Sequence, residues 1–349
     1  MTKKGGVQRL SFISWMMILG LVARGTPPFV KNLTVLAKFG GLEVSEEQLF
    51  DRPIDISAGR AGRIYVLDSK GNNIKIFKED GAFMGTVGRG GSGPGEFTRP
   101  WKLETIEDEL YVTDTGNGRI QVLDEDGRYK TGFKVSVSFG DGMAFDSAGR
   151  VYLNTRGFRS PKLISIYDTQ GNLVKEFGDL EGRSIQFFDF TVIKKQIRGG
   201  KIPDSFKNEI ALIVDREGNT FAVHQALKKL KKFSPNGELI KEHEIMAEEY
   251  ESIYETFLQK NREVENSPAT YYGLSYISDL GLDGDGNLYV LLNEPSRMVI
   301  YVYSNKGEFV GKLLGIEDSI SRIAISHDNK LYALGNDTHF IYKFSLDLK

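Results

Sequence analysis

Leu110-Tyr-Val-Thr-Asp-Thr-Gly-Asn-Gly-Arg-Ile-Gln-Val122 is the stretch on which the reading of this chain turns. Leu110 and Val112, then Ile120 and Val122, alternate with other residues at the period of two that a strand requires. Between them Thr115-Gly-Asn-Gly118 supplies residues that reverse a chain, so the stretch reads as strand, turn, strand. The first of these strands recurs as Ile64-Tyr65-Val66, Val151-Tyr152-Leu153, Phe221-Ala222-Val223, Leu288-Tyr289-Val290 and Leu331-Tyr332-Ala333. Each copy follows an alternating run and a turn, such as Asp146 to Gly149 or Asp283 to Gly286. Each leads to a third strand (74–77, 120–123, 163–167, 230–233, 299–303, 340–344), usually with a fourth behind it. The central aromatic returns at spacings of 46, 41, 69, 68 and 43 residues. About 43 residues make one four-stranded propeller blade. The two long intervals exceed that by about 25 residues, which places insertions near 183–207 and 246–275. The expectation is an all-β fold, a six-bladed β-propeller of four-stranded blades with a short helical insertion, forming a single domain over 26–349.

The sixth unit ends at Lys349 without a fourth strand of its own, whereas residues 32–40 (NLTVLAKFG) read as a fourth strand with no blade before them. Pairing the two closes the ring with an N-terminal strand. The stretch GRGGSGPGEFTRP (88–100) followed by 110–122 resembles an NHL repeat; the likeness extends well over 50–81 and only in outline over the later blades. The chain resembles the NHL-like six-bladed propellers common among exported bacterial proteins. That resemblance implies a fold and carries little about function, because the fold hosts many unrelated activities.

Residues 1–25 follow other rules. Lys3, Lys4 and Arg9 with no acid precede a nearly continuous apolar run, Leu10 to Ala23, and then Arg24, Gly25 and a Pro27-Pro28 break. This is the pattern of a secretory signal peptide, with an uncleaved N-terminal anchor as the alternative. Fourteen helical residues cover about 21 Å, short of a hydrocarbon core of ~30 Å. The expected location is therefore periplasmic or extracellular, with membrane contact only through this segment. The full chain balances 45 Lys+Arg against 47 Asp+Glu, and loss of 1–25 leaves 41 against 47, a charge of −6. Nucleic acid is thus not an expected partner. With no Cys, the chain has no disulfides, thiolate metal sites or Cys nucleophiles.

In the best-matched blades an Asp stands three residues after the Tyr (Asp68, Asp114), with Asn72 or Asn117 beyond it; these pin the turn between second and third strands. The same column then reads Thr155, His224, Leu292 and Gly335, so the pinning group is lost from blade three onwards. In a propeller that turn opens on the face that carries the blade-to-blade connections. Both insertions and the Gly-rich 88–99 segment belong to that face, and long loops on a rigid scaffold are where sites form. Within the second insertion, Tyr250, Ile253, Tyr254, Phe257 and Leu258 fall at helical spacing, reading as an amphipathic helix that covers the propeller or serves as a lid. The candidate ligand-binding residues on this face are Arg89, Arg99, Trp101, Arg119, Arg156, Arg159, His224, Asn293, Arg297 and His339. Convergent Arg groups are suited to a carboxylate, a sugar acid or an acidic peptide.

Other chemistries find little support. Four His residues, with His243 on an outer strand and His327 at the opposite end, are too few for the His-rich zinc site of propellers resembling peptidyl-amidating lyases. Asp283-Gly-Asp285-Gly-Asn287 opens like a calcium loop but lacks the later ligands and coincides with a blade turn. The glycines of 88–95 precede no Gly-Lys-Ser/Thr, and Lys228 to Lys232 read as a solvated edge. No nucleophile elbow is present and no catalytic residue is identified. The function expected is a non-catalytic exported propeller that binds a protein, peptide or small acidic ligand through its loop-rich top face, with no cofactor and no resident metal. The alternative is a divergent lactonase- or lyase-like hydrolase with a divalent cation in the central channel.

Overall fold

The computed structural model describes residues 28–135, 142–158, 160–182, 189–267 and 269–347. The leader expected over 1–25, Arg159 and residues 183–188 of the first insertion lie outside the described residues. Five sheets follow one another along the chain at 53–87, 100–134, 143–179, 210–244 and 277–314, each with its strands in sequential antiparallel order from the channel outward. A sixth, at 320–345, supplies three strands. The first strands of neighbouring sheets touch around the whole ring, the sixth against the first included. The chain is a six-bladed propeller.

The core follows from strand alternation. There is one buried apolar cluster between each pair of neighbouring blades, six in all. In blade one, Ile64 and Val66 face blade six, where they meet Tyr332, Leu334 and Ile341. Tyr65 and Leu67, the intervening residues, face blade two and pack with Leu103, Leu110 and Val112. A strand buried on both faces thus feeds two clusters, which is why these strands read as near-continuous apolar runs. The recurring Tyr has a second task. Tyr152 donates to Asp146 Oδ2 (3.2 Å) and Tyr289 to Asp283 Oδ2 (3.0 Å), tying each second strand to the turn that precedes it. Asp283 also accepts the N–H of Asp285 and Asn287 and the Asn287 side chain, so its oxygens are committed to the turn. Gly286 closes that turn at φ +77°, in the left-handed region.

Ring closure is made by Val35–Gly40, which pairs antiparallel with Phe340–Ser345 and completes blade six. Phe39 seats against Phe77 with ring centroids 5.5 Å apart. One strand was not foreseen: Phe29–Asn32 runs parallel to Phe309–Leu314 and adds a fifth strand to blade five. Four residues with a weak apolar pattern carry no sign of which edge they will cover.

Both insertions carry a helix, rather than one. The short α1 (Phe190–Arg198) starts on Asp189, whose carboxylate accepts the N–H of Thr191 and Val192, and it buries Ile193 and Ile197. Phe190, Ile193 and Ile197 stand at i, i+3 and i+7, and Phe190 packs on Tyr271. The second, α2 (Tyr250–Glu263), buries Tyr250, Ile253 and Phe257 in the cluster between blades four and five. Tyr250 stacks on Tyr276 at 4.3 Å. It covers its own propeller. The Lys228 to Lys232 run also differs from a solvated edge: Lys231 is buried against Glu181 (2.6 Å), and Lys232 is buried beside Asp215 (3.6 Å) and over the Phe221 ring. No helix among the described residues is long and apolar enough to cross a membrane.

Candidate functional site

The first strand of each blade lines the central channel, and four of them deliver a charge at one level. Asp55, Lys102, Asp279 and Arg322 each follow an irregularity at the start of the strand, and their neighbours in the second strands lie at matching heights. Around the ring the order is Asp55 in blade one, Lys102 in blade two, apolar residues in blades three and four, Asp279 in blade five and Arg322 in blade six. Asp55 is buried and bridges its neighbours. Its Oδ2 accepts the Leu103 N–H at 2.7 Å and lies 3.5 Å from Lys102 Nζ, and its Oδ1 lies 3.8 Å from Arg322 Nε. Asp279 repeats the device one blade earlier, accepting the Ile323 N–H at 2.9 Å. Each carboxylate thereby clasps the backbone of the following blade, a charge-assisted contact.

Above this ring, at the end of the channel that carries the blade-to-blade connections, lies a cavity of about 480 Å³. One side holds Trp101, Lys102, Asp279 and Arg322; the other is the apolar wall of Gly142, Met143, Ala211, Leu212 and Ile213, with Arg156, Gln225, Asn293 and Asn336 at the rim. A second cavity of about 670 Å³ opens at the opposite end between the turns of the first and second strands. Among the described residues Glu104 is the one that lines both, so it marks the waist of the channel. Burial pushes its carboxyl up to about 7, against the pull of Lys102, and it accepts the Phe145 N–H. Burial likewise raises Asp279. Burial opposes the charge on Lys102 too, but Asp55, Asp279 and Glu104 outweigh it and hold the ammonium above the usual lysine range. Among the described residues neither Glu104 nor Asp279 has a cation within ion-pair distance.

Of the ten residues expected at the site, Trp101, Arg156 and Asn293 line this cavity. Arg156 faces Glu209 at 3.3 Å, and Asn293 donates to the Ser275 carbonyl at 3.0 Å. Arg119 is committed to the scaffold: it pairs with buried Asp114 at 2.8 Å and donates to the carbonyls of Gly93 and Glu96, fastening the 88–99 loop. Arg89 pairs with Glu96 at 2.8 Å, and Arg297 lies 3.8 Å from Glu249. Arg99 is exposed, with a positive φ of 49° and its N–H on Asn72. His224 is fully buried between blades three and four, its Nδ1 on the Lys207 carbonyl at 2.7 Å; burial lowers its imidazole to about 4. His339 sits in the last turn with φ 55°, its carbonyl accepting the Gly41 N–H. Arg159 lies outside the described residues. The four arginines Arg89, Arg119, Arg156 and Arg297 thus each face a carboxylate rather than a common point. Lys102, Glu104, Asp279 and Arg322 were not singled out from the sequence. Aligning the first strands as Pro53-Ile-Asp55, Pro100-Trp-Lys102, Ile277-Ser-Asp279 and Ile320-Ser-Arg322 exposes the common position of the four charges, with Glu104 two residues further along its strand. Among the described residues no group of three or more His, Cys, Asp or Glu is placed to hold a metal ion.

The fold and the channel define the class: a six-bladed propeller with a charged axial channel. More particularly, the chain belongs to the DUF5128 family, described as a 6-bladed beta-propeller, whose profile matches residues 33–275. The human NHL repeat-containing protein 3 is 33% identical over 82 residues, 22% of this chain and 23% of that protein, so the chain spans about a quarter of that relative's length. Among solved structures, a Bacteroides fragilis protein described only as a candidate for export shares 14% identity at a TM-score of 0.55, covering 91% of this chain and 98% of that one. Virginiamycin B lyase from Staphylococcus aureus shares 11% at a TM-score of 0.50, covering 84% and 95%. At such identities these likenesses show the fold alone.

Proposed function

We propose that this propeller works by binding rather than by catalysis, after export, and that a ligand or a segment of a partner protein enters through the top cavity. The observation that carries this reading is the coincidence of two features at one end of the disc. The described parts of the long connections, 88–99, 189–209 and 245–267, stand at that end, and the same end opens on a cavity of about 480 Å³ with an apolar wall, an aromatic and several polar groups. Concave sites that hold small molecules share that size and mixture. The basic, then apolar, N-terminal pattern supports export.

Trp101 provides the test. The chain has two Trp, and the other is Trp15 in the leader. In a Trp15→Phe chain the fluorescence therefore reports from the cavity alone. A saturable change with a ligand or a co-purified partner, lost when Arg156 and Asn293 are both changed to Ala, is expected; a flat response to every species that co-purifies with the chain refutes the reading. Catalysis of lactonase or lyase type is the second reading, favoured by the raised carboxyl of Glu104 in a concave channel. Titration with Ca²⁺, Zn²⁺ and Mn²⁺ followed by thermal shift separates the two. A stabilisation of several degrees that Glu104→Gln removes favours the hydrolase.

A further inference from the structure

Within that cavity the charges are not spread evenly. The carboxylate of Asp55 lies between Lys102 and Arg322, and Arg322 Nη1 gives its hydrogens to the carbonyls of Ser321 (2.7 Å) and Ser278 (3.3 Å). Arg322 is thus largely satisfied by the scaffold. Lys102 is not: an ammonium has three donors, and its one described contact is the 3.5 Å approach to Asp55. Glu104 and Asp279 offer the complementary surplus. Each accepts a backbone N–H, of Phe145 and Ile323 respectively, and among the described residues neither has a cation within ion-pair distance, Lys102 acting on both only across a longer gap. Withdrawing ionised groups from water without a partner is costly, so such groups persist where a ligand or a change of protonation compensates them. Opposite this arc the wall is apolar: Ala211 and Ile213 of blade four are half-exposed to the cavity, while Met143 and Leu212 are buried in the interblade clusters behind it.

A ligand matched to these walls carries one group that donates to carboxylates, one that accepts from an ammonium, and an apolar side group between or beside them. We propose that the top cavity takes a small zwitterion with an aliphatic or aromatic side chain, a free amino acid or a short peptide with both ends free. Its ammonium lies against Glu104 and Asp279, its carboxylate against Lys102, and its side chain against Ala211 and Ile213. This rests on the reading that the top cavity is the binding site, and it names the ligand class. A ligand bearing only negative charge fits less well. Arg156 already faces Glu209, Arg322 and Lys102 share Asp55, and with Glu104 and Asp279 the four carboxylates outnumber the three cations by one, so the lining holds no cationic surplus.

The test is calorimetric titration of the full chain at pH 8 and low salt with four probes: leucine, leucyl-leucine, N-acetyl-leucine and leucinamide. At least one of the two zwitterions is expected to bind, the better of them telling a free amino acid from a peptide. Removing either charge is expected to weaken binding about tenfold or more, the loss of one charge-assisted hydrogen bond. Glu104→Gln is expected to weaken leucine or leucyl-leucine about tenfold while leaving N-acetyl-leucine unchanged, because that probe has already lost the interaction. Lys102→Met should erase the gap between leucine and leucinamide, because both then meet Glu104 in one protonation state and neither carboxyl end meets an ammonium. Thermal melts of both variants confirm that they fold, and this crossed pattern is one that a merely structural role does not produce. If capped probes bind as tightly as the zwitterions, or if Trp101 responds to another ligand while neither zwitterion binds, the ligand class is wrong and the cavity remains the site. If Trp101 responds to nothing, including the zwitterions, the site itself is wrong.

Discussion

Replacing Glu104 by Gln keeps the shape of the side chain and its acceptor for the Phe145 N–H, and removes only the capacity to ionise. In the native channel the carboxyl is held up to about 7, from an ordinary value of 4.5, first by burial. Lys102 pulls it down, while Asp55 and Asp279 raise it further. The folded protein therefore binds a proton at Glu104 between those two values that the unfolded chain has released. Stability must then fall as pH rises through that window, and level off above pH 7. A shift of that size corresponds to about 3 kcal/mol. Unfolding entropy of roughly 2 cal/mol/K per residue, over some 320 residues, gives about 0.7 kcal/mol per degree, so the effect is worth about 4 °C. Melts of the wild type and the variant in parallel from pH 4.5 to 8.5 read it directly. At pH 4.5 the two should melt together, and the variant should gain steadily to an advantage of about 4 °C at pH 8. Taking the difference cancels other groups, including His224, whose lowered imidazole contributes the opposite slope. A difference that does not change with pH would falsify the placement of Glu104 in a desolvated waist. In the same series, Lys102→Met should push the window upward, since the ammonium is what restrains the Glu104 carboxyl.

Deleting residues 28–40 should lower the melting temperature sharply. Phe39 alone is worth about 2–3 kcal/mol of packing against Phe77, and the edge of Phe340–Ser345 loses its partner. An unchanged melt would rule out this closure. Asp114→Ala removes the acceptor of Thr98 N–H, Asn117, Arg119 and Gln121 from a fully buried position. The expected loss is about 3–5 kcal/mol, with faster proteolysis in the 88–95 loop; equal cleavage rates would show that Arg119 holds the loop unaided. Tyr250→Phe should be neutral or stabilising by up to about 1 kcal/mol, because the buried Tyr250 hydroxyl has no hydrogen-bond partner among the described residues. A clear destabilisation measured by denaturant unfolding would mean that the hydroxyl has a partner.

The fold was legible because its signals are local. A Tyr buried in the second strand, an Asp that accepts the N–H groups of its own turn and a Gly at positive φ lie within a few residues of each other, so they repeat together. Tyr289, Asp283 and Gly286 are one such set. The closing strand was legible for a related reason: Val35–Gly40 carries the alternation of a fourth strand, and the last blade lacks one. The fifth strand on blade five was not, since Phe29–Asn32 is too short for a period to emerge, whereas α1 does carry a helical stripe in Phe190, Ile193 and Ile197.

The site was less legible. Arginines picked by their position on the top face proved to be matched by Glu96, Asp114, Glu209 and Glu249, some of them distant in sequence. Loop position places a charge on a face but does not say what neutralises it. Asp114 itself was read correctly as a turn residue, yet it also anchors Thr98, which precedes it by a whole strand and belongs to the incoming connection.

Sequence alone determined the number of blades, the order of their strands and the way the ring is fastened, because hydrophobic alternation and turn chemistry act between residues that are near neighbours in the chain. Only the tertiary structure decided which charges meet on the axis. Asp55 finds Lys102 and Arg322 because closure of the ring sets the first blade between the second and the sixth, and Glu104 is left at the waist by the same geometry. Coulomb attraction and desolvation depend on distances in space, and no periodicity along the chain encodes those.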